Sequence, residues 1–276
     1  MRQGNFELDV LSAGTMAMDG GLIFGIVPRV MWEKFSTPDE KNQILLGLNI
    51  LLIRTGGHNI LVDTGCGEDL SPKLAEIHSF SGRYGLRESL GVLGLDFADI
   101  SIVIPSHLHF DHAGGMTLEK DGKVVPAFPN ARYYVQKKEY EEWKFTNDRT
   151  RGGYRSVFCD AVKDAGQLEL LAGESEIVKG VRCLATPGHT EGHQSVVVEP
   201  VGGQGVLFPG DVGPTRYNIP LAWSTSNDVL PLVQMETKRA LWTKALKYNW
   251  KLVFPHEVDP RFFDSEILGN SGLKKK

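Results

Sequence analysis

Ser106-His-Leu-His-Phe-Asp-His-Ala-Gly-Gly115 is the stretch of this 276-residue chain whose reading decides the fold. It directly follows Asp99–Pro105, an apolar β-branched run that reads as a strand. His107, His109, Asp111 and His112 therefore leave a rigid strand end and enter a tight turn closed by Gly114-Gly115. Four metal-ligating side chains within positions 107–112 are hard to explain as packing. Neutral imidazoles and a carboxylate suit Zn, Mn, Fe or Co at a nitrogen and oxygen site. Extended alternation directs His107 and His109 to the same side. The adjacent Asp111 and His112 must diverge unless the chain turns sharply, and that geometry favours two neighbouring ions over one.

Two ions need more ligands, and the rest of the sequence supplies them in similar settings. Thr186-Pro-Gly-His-Thr190 follows the strand-like run Val181–Thr186, Phe208-Pro-Gly-Asp-Val212 follows Gly205–Pro209, and Phe254-Pro-His-Glu257 follows Lys251–Phe254. Each places one ligand-type residue, His189, Asp211 or His256, at the end of a β-run. Any one of these alone is ordinary turn chemistry. Together they make five His and two Asp on one rim, enough for two ions with a position open to water and substrate.

The remaining pattern alternates strand-like and helical stretches. Further β-runs are Leu48–Arg54, Asn59–Asp63, Ala131–Val135 and Ser195–Glu199. Helical patterns cover Ser71–Phe80, Leu86–Leu93, Lys137–Phe145, Ser156–Ala165 and Pro231–Tyr248, the last with Leu232, Met235, Trp242 and Leu246 at one-face spacing. Asp121-Gly122 between short extended pieces signals a tight hairpin. The expected fold is α/β: two mixed β-sheets in a sandwich with helices on the outer faces, forming a single domain over residues 1–276.

Composition narrows the function classes. With 41% hydrophobic and 23% charged residues the chain reads as globular. The balance of 30 Lys plus Arg against 34 Asp plus Glu, a net charge of −4, argues against a protein that neutralises nucleic-acid phosphates, so no nucleic-acid partner is expected. Cys66, Cys159 and Cys183 are too few and scattered for a disulfide framework and read as buried thiols. The N-terminus lacks a basic region followed by an apolar signal core, and the longest apolar stretch, Ile44–Ile53, is short and interrupted by Gly47 and Asn49. The expectation is a cytoplasmic protein with no membrane partner.

The HxHxDH segment, the later His189, Asp211 and His256, and the early Leu61-Val-Asp-Thr-Gly65 resemble the metallo-β-lactamase-fold hydrolases from about Asn49 to His256. The resemblance implies a four-layer αβ/βα sandwich with a dinuclear site. His107, His109 and His189 would hold one ion, Asp111, His112 and His256 the other, and Asp211 would bridge them. Asp63 would support the ligands from behind, as imidazole ligands generally require, and His193, four positions after His189, is a second candidate for that task. The ions would be divalent, Zn first, with Mn, Fe or Co compatible. Two such ions about 3.5 to 4 Å apart share a hydroxide and polarise the carbonyl or phosphoryl oxygen it attacks. Asp111 would then pass a proton to the leaving alkoxide.

Within that superfamily the segments His107–Gly115 and Pro187-Gly-His-Thr-Glu-Gly-His-Gln194 look most like N-acyl homoserine lactonases, the quorum-quenching enzymes. Flavodiiron proteins carry Glu where His109 stands, RNA-processing members add basic arms, and class B β-lactamases use a Cys in the second site. The stretch Gly20–Trp32 resembles the loop that walls the acyl pocket of the lactonases, which makes Phe24, Met31 and Trp32 candidate substrate-binding residues. Where those lactonases carry a tyrosine that contacts the lactone, this sequence has Pro214, and Tyr217 is the nearby candidate for its catalytic role. The run Gly210–Thr215, with Trp223 and Asp228 downstream, resembles a broader bacterial branch that includes some lactonases. The expected activity is hydrolytic opening of a lactone, N-acyl homoserine lactones first. Alternatives are a glyoxalase II-type thioesterase, for which Arg261 and the Lys274–Lys276 tail are poor carboxylate-binding groups, an aryl-ester or organophosphate hydrolase, or a metal-containing ligand-binding protein. The partner is a small lactone or ester, and an apolar rim around the N-terminal loop would suit a homodimer. His58 and His78 read as solvated or packed side chains.

Overall fold

The computed structural model describes residues 1–155 and 158–272. Near-continuous apolar strands usually mean burial on both faces, and the sheets of this molecule show why. In Gln43–Thr55, Ile50 and Leu52 belong to one apolar cluster while Leu51 and Ile53 belong to another. Leu61 and Val103 share the first cluster, and their strand neighbours Ile60, Val62, Ile102 and Ile104 share the second. On the other sheet, Val196, Val198, Val206 and Phe208 enter that second cluster, whereas Val197 and Leu207 enter a third with Trp242 of the helix Pro231–Lys247. The second cluster therefore lies between two sheets, and the other two lie under outer layers, one of them bearing the helix Gly85–Val92 through Leu86 and Leu90. The layers are those of an αβ/βα sandwich.

One sheet runs in the order Arg2–Gln3, Phe6–Asp19, Gln43–Thr55, His58–Val62, Ile102–Ile104, Arg132–Gln136 and Leu168–Leu171. The other runs Ser175–Val178, Val181–Ala185, Gln194–Val198, Val206–Phe208 and Lys251–Leu252. Both are mixed. His58–Val62 pairs parallel with Ile102–Ile104, Val206–Phe208 pairs parallel with Lys251–Leu252, and Val181–Ala185 is antiparallel to a strand that is itself antiparallel to Val206–Phe208. Parallel direction sends the C-terminal ends of strands to one edge. Asp63, His107, His189, Asp211 and His256 all follow such ends.

The structure adds one strand pair, bears out one tight hairpin and corrects one helix face. The long hairpin Phe6–Asp19 with Gln43–Thr55 was not signalled, because its first strand mixes polar and apolar residues without clean punctuation. The Asp121-Gly122 hairpin forms between Thr117–Lys120 and Lys123–Pro126, with positive φ of 53° and 72° at its two turn residues. The helix Pro231–Lys247 forms, but Leu232 and Leu246 are exposed, and its buried residues include Gln234, Lys238, Leu241 and Trp242. The packed face carries polar groups because it serves loops: Gln234 donates to the Asp211 carbonyl at 2.8 Å, and Lys238 to those of Asn218 and Trp223, each at 2.9 Å. The first residues of the helix expected over Ser156–Ala165 and the Lys274–Lys276 tail lie outside the described residues, and Phe158–Asp164 is helical. All three cysteines are free and buried. No helix among the described residues is long and apolar enough to cross a membrane.

Candidate metal centre

The rim built by those strand ends gathers all seven side chains. After Ile102–Ile104 the chain bends at Ser106 and His107 rather than continuing as a strand, and His107 Nε2 and His109 Nδ1 come within 2.9 Å of each other. One short helical turn, Phe110–Ala113, then swings Asp111 and His112 to a second position. This is the sharp turn that lets adjacent residues both serve the site. His189 Nε2 lies 3.1 Å from His109 Nδ1, and His112 Nε2 lies 3.1 Å from His256 Nε2. Asp211 stands between the two groups: Oδ2 is 3.3 Å from His189 Nε2, and Oδ1 is 3.4 Å from the Nε2 atoms of both His112 and His256. Asp111 Oδ2 is 3.7 Å from His112 Nε2 and 3.6 Å from His256 Nε2. Ligand atoms of three sets, His107 with His109 and His189, His107 with His112 and Asp211, and Asp111 with His112 and His256, lie within 4.8 Å of one another.

Such crowding of ring nitrogens needs a positive charge to share. Burial and the neighbouring imidazoles hold His107 and His109 well below the usual histidine range, leaving neutral rings with lone pairs aimed inward. Burial pushes His112 and His189 down too, but nearby carboxylates, Asp211 foremost, outweigh it and raise both. Burial would raise Asp211, yet His112, His189 and His256 hold it well below the usual carboxylate range. Its buried Oδ1 has no hydrogen-bond partner. The neutral rings of His107 and His109 beside an anionic Asp211 with an orphaned oxygen make a nitrogen and oxygen donor set that fits a divalent metal, whose charge would replace the protons that Asp211 favours on His112 and His189.

The outer nitrogens are fixed from behind. Asp63, at positive φ of 65°, accepts from the Ser106 amide at 2.5 Å, from Ser106 Oγ at 3.0 Å and from His112 Nδ1 at 2.7 Å. Asp228 Oδ1 accepts from His189 Nδ1 at 2.8 Å, and the Gly47 carbonyl accepts from His256 Nδ1 at 2.9 Å. His193 sits beside the site rather than in it. Its Nε2 accepts from the Asp211 amide at 3.0 Å, so Nδ1 carries the proton and donates to Thr186 Oγ1 at 2.9 Å. Gly210 permits this approach, since a Cβ there would lie 2.5 Å from His193 Nε2.

Gly47 and Asn49, the interruptions of an apolar run, hold the loop that carries His256. Asn49 Nδ2 donates to the Phe254 and Glu257 carbonyls at 3.0 and 2.7 Å. A Cβ at Gly47 would come within 2.0 Å of the Glu257 carbonyl oxygen. Asp228, Ser106 and this pair were not assigned supporting roles from sequence, although a polar residue inside an otherwise apolar strand was a readable signal for Asn49.

The predicted substrate-binding residues separate. Phe24 is buried, stacked on Trp32 at 5.2 Å and edge-on to Trp223 at 5.9 Å. It lines a cavity of about 170 Å³ with Phe35, Leu46, Arg216, Tyr217 and His256. Trp32 is 2% exposed and backs Phe24 from the core, and Met31 is exposed on the short helix Arg29–Trp32. Tyr217 stacks on Phe35 at 5.5 Å, and its hydroxyl accepts from Arg216 Nη2 at 2.8 Å. Phe35, Arg216, Tyr217, Ile219, Pro220, Trp223 and Ile267 line a further apolar cleft of about 300 Å³ that opens to solvent. Phe35 was not singled out from sequence. His58 and His78 lie away from the site, His58 with Ser101 and His78 against Phe110.

A layered α/β sandwich with buried His and Asp groups converging on one rim defines the class of metal-dependent hydrolases built on this fold. The chain belongs to the metallo-beta-lactamase superfamily, whose family model matches residues 45–255. An N-acyl homoserine lactonase of Bacillus cereus is 28% identical over 255 residues, covering 87% of this chain and 89% of the relative. A probable metal-dependent hydrolase from Staphylococcus aureus superposes with a TM-score of 0.87 at 29% identity, over 93% of this chain and 91% of the other. An N-acyl homoserine lactone hydrolase solved with the product N-hexanoyl-L-homoserine at its catalytic metal center superposes with a TM-score of 0.71 at 25% identity, over 94% and 95% of the two chains. The protein is thus a hydrolase of this superfamily, related to the lactonases.

Proposed function

We propose that this hydrolase opens the ring of N-acyl homoserine lactones. The observation that carries the reading is the gathering of the other six His and Asp side chains around Asp211, whose buried Oδ1 lacks a hydrogen bond. His107, His109 and His189 would hold one divalent ion, Asp111, His112 and His256 a second, with Asp211 between them and zinc the ion expected. Bound there, the ions would supply Lewis acidity and an activated water.

The chain's own groups do the rest. Asp63, Asp228 and the Gly47 carbonyl fix which nitrogen of His112, His189 and His256 faces inward, so the site needs little reorganisation on binding. Asp111, whose Oδ2 lies 3.6 Å from His256 Nε2, carries a proton to the ring oxygen as the acyl C–O bond breaks. Water contributes its OH to the acyl carbon, so the product is a hydroxy-carboxylate and, at neutral pH, one proton is released. Phe24, Phe35, Tyr217 and Trp223 form an apolar wall beside His256 that excludes water and receives the acyl chain. Relatives named as N-acyl homoserine lactonases support this choice of substrate.

The test is proton release at constant pH by zinc-reconstituted protein given short- and long-chain N-acyl homoserine lactones, simple γ- and δ-lactones, an aryl ester, a phosphotriester and a thioester. The proposal expects the acyl homoserine lactones to turn over fastest and Asp111→Asn to slow their turnover about 10³-fold. Turnover of another ester with those lactones untouched would overturn the substrate assignment and leave the metal centre standing.

A further inference from the structure

The two halves of the centre are braced by different carboxylates, and one of them lies on an element that contributes no ligand. In the helix Lys137–Lys144, Lys137, Lys138 and Glu141 are exposed while Glu139 is only 1% exposed. A fully buried carboxylate needs compensating donors. Here it has three. Oε1 accepts from the Leu108 amide at 2.8 Å and from the Tyr154 hydroxyl at 3.1 Å, and Oε2 accepts from the Thr190 hydroxyl. Leu108 lies between His107 and His109, and Thr190 follows His189. Tyr154 lies with its ring centroid 4.9 Å from that of His109, and the neighbouring Gly153 carbonyl accepts from the Phe110 amide at 2.9 Å. Gly192 allows the helix to approach this closely, for a Cβ there would lie 1.9 Å from the Glu139 nitrogen.

All three donors belong to segments that carry or cover His107, His109 and His189. The half formed by Asp111, His112 and His256 receives no contact from Glu139; Asp63, Asn49 and the Gly47 carbonyl hold it, and Asp63 reaches the other half only through Ser106, whose Oγ lies 3.1 Å from His107 Nδ1. We propose that Glu139 is a positioning residue: its carboxylate ties the 107–109 and 189–190 loops together and thereby sets the geometry of the three-histidine half alone. The inference rests on reading those histidines as metal ligands. Groups that orient metal ligands commonly change metal affinity by about 10- to 100-fold when removed.

The experiment is stepwise zinc titration of the full-length apo protein against a competing chelator. His109→Gln identifies which equivalent belongs to the three-histidine half. Glu139→Ala is expected to weaken that equivalent by about 10- to 100-fold and leave the other within about twofold. Glu139→Gln should recover most of the affinity, because its Oε1 still accepts from Leu108 and Tyr154 while its amide donates to the Thr190 oxygen. Thr190→Val removes one arm without opening a core cavity, and is expected to weaken the same equivalent even if Glu139→Ala fails to fold. Unchanged binding of both equivalents in Thr190→Val and Glu139→Gln, with no loss in a folded Glu139→Ala, would overturn the inference. So would equal weakening of both equivalents, which marks a general contribution to the fold. Wild-type protein that binds no zinc would remove the metal-centre reading and this inference together, whereas two wild-type equivalents with symmetric loss in the variants would remove the inference only.

Discussion

The rim of strand ends and the aromatic wall beside it are built on opposite principles. On the rim, the ligand-type side chains sit at or just beyond strand ends, and the outer nitrogens of His112, His189 and His256 are fixed by Asp63, Asp228 and the Gly47 carbonyl. The wall is assembled from short turns and loops: Phe24 and Trp32 on two brief helices, Phe35 just beyond, and Tyr217 and Trp223 in the segment after Asp211. Its polar anchors come from elsewhere, chiefly Lys238 on the outer helix. Chemistry is thereby placed on the stiffest part of the molecule and selectivity on parts that can vary without disturbing it.

Substitutions should therefore separate rate from substrate preference. The largest effect is expected from Asp111→Asn, a change of one atom on the rim, with kcat/KM for the lactone falling about 10³-fold, within the usual range for loss of a proton-transfer group. A steady-state comparison with wild type, both zinc-loaded, measures it. Gly47→Ala comes next. Its new methyl group would collide with the Glu257 carbonyl and displace the loop carrying His256, lowering stability by about 1–3 kcal/mol and releasing one zinc equivalent, as read by thermal melting and metal analysis.

On the wall, effects should be smaller and fall on KM. Trp223→Ala is expected to raise KM for long-chain substrates about tenfold with little change for short ones and with kcat nearly preserved. An equal effect on both chain lengths would break the division between rim and wall. The smallest effect at neutral pH belongs to His193→Gln, and acid reveals it. Burial holds His193 down at about 3, against an ordinary value of 6.5. Between those values the unfolded chain binds a proton that the folded protein does not, so stability falls as pH drops through this window, by up to about 1.4 kcal/mol per pH unit. Denaturant titrations of the apo protein from pH 6.5 downward should show a slope one proton shallower in the variant.

The rim was legible because its signal is local. HxHxDH, Pro-Gly-His, Pro-Gly-Asp and Pro-His each combine a ligand-type residue with strand-end punctuation, so both spacing and context could be read along the chain. The layered sheets were legible for the same reason, since double-sided burial writes continuous apolar runs such as Ile50–Ile53. The braces were not. Glu139 sits in Lys-Lys-Glu-Tyr-Glu-Glu, a pattern that reads as a solvated helix face, and only tertiary packing against Gly192 buries it. Phe35 and Tyr217 are 182 positions apart and stack only once the 20–35 segment folds over the loop after Asp211. Trp32, which sequence placed in the substrate pocket with Phe24, instead stands behind it, because Gly20 leaves room for its ring in the core.

The most direct test of the account is anomalous diffraction at the zinc edge from crystals of zinc-loaded protein. The account predicts two peaks on the rim. One should lie about 2.0–2.1 Å from His107 Nε2, His109 Nδ1 and His189 Nε2, and the other at comparable distance from Asp111, His112 and His256, with Asp211 reaching both. A single peak, or peaks away from these side chains, would contradict it.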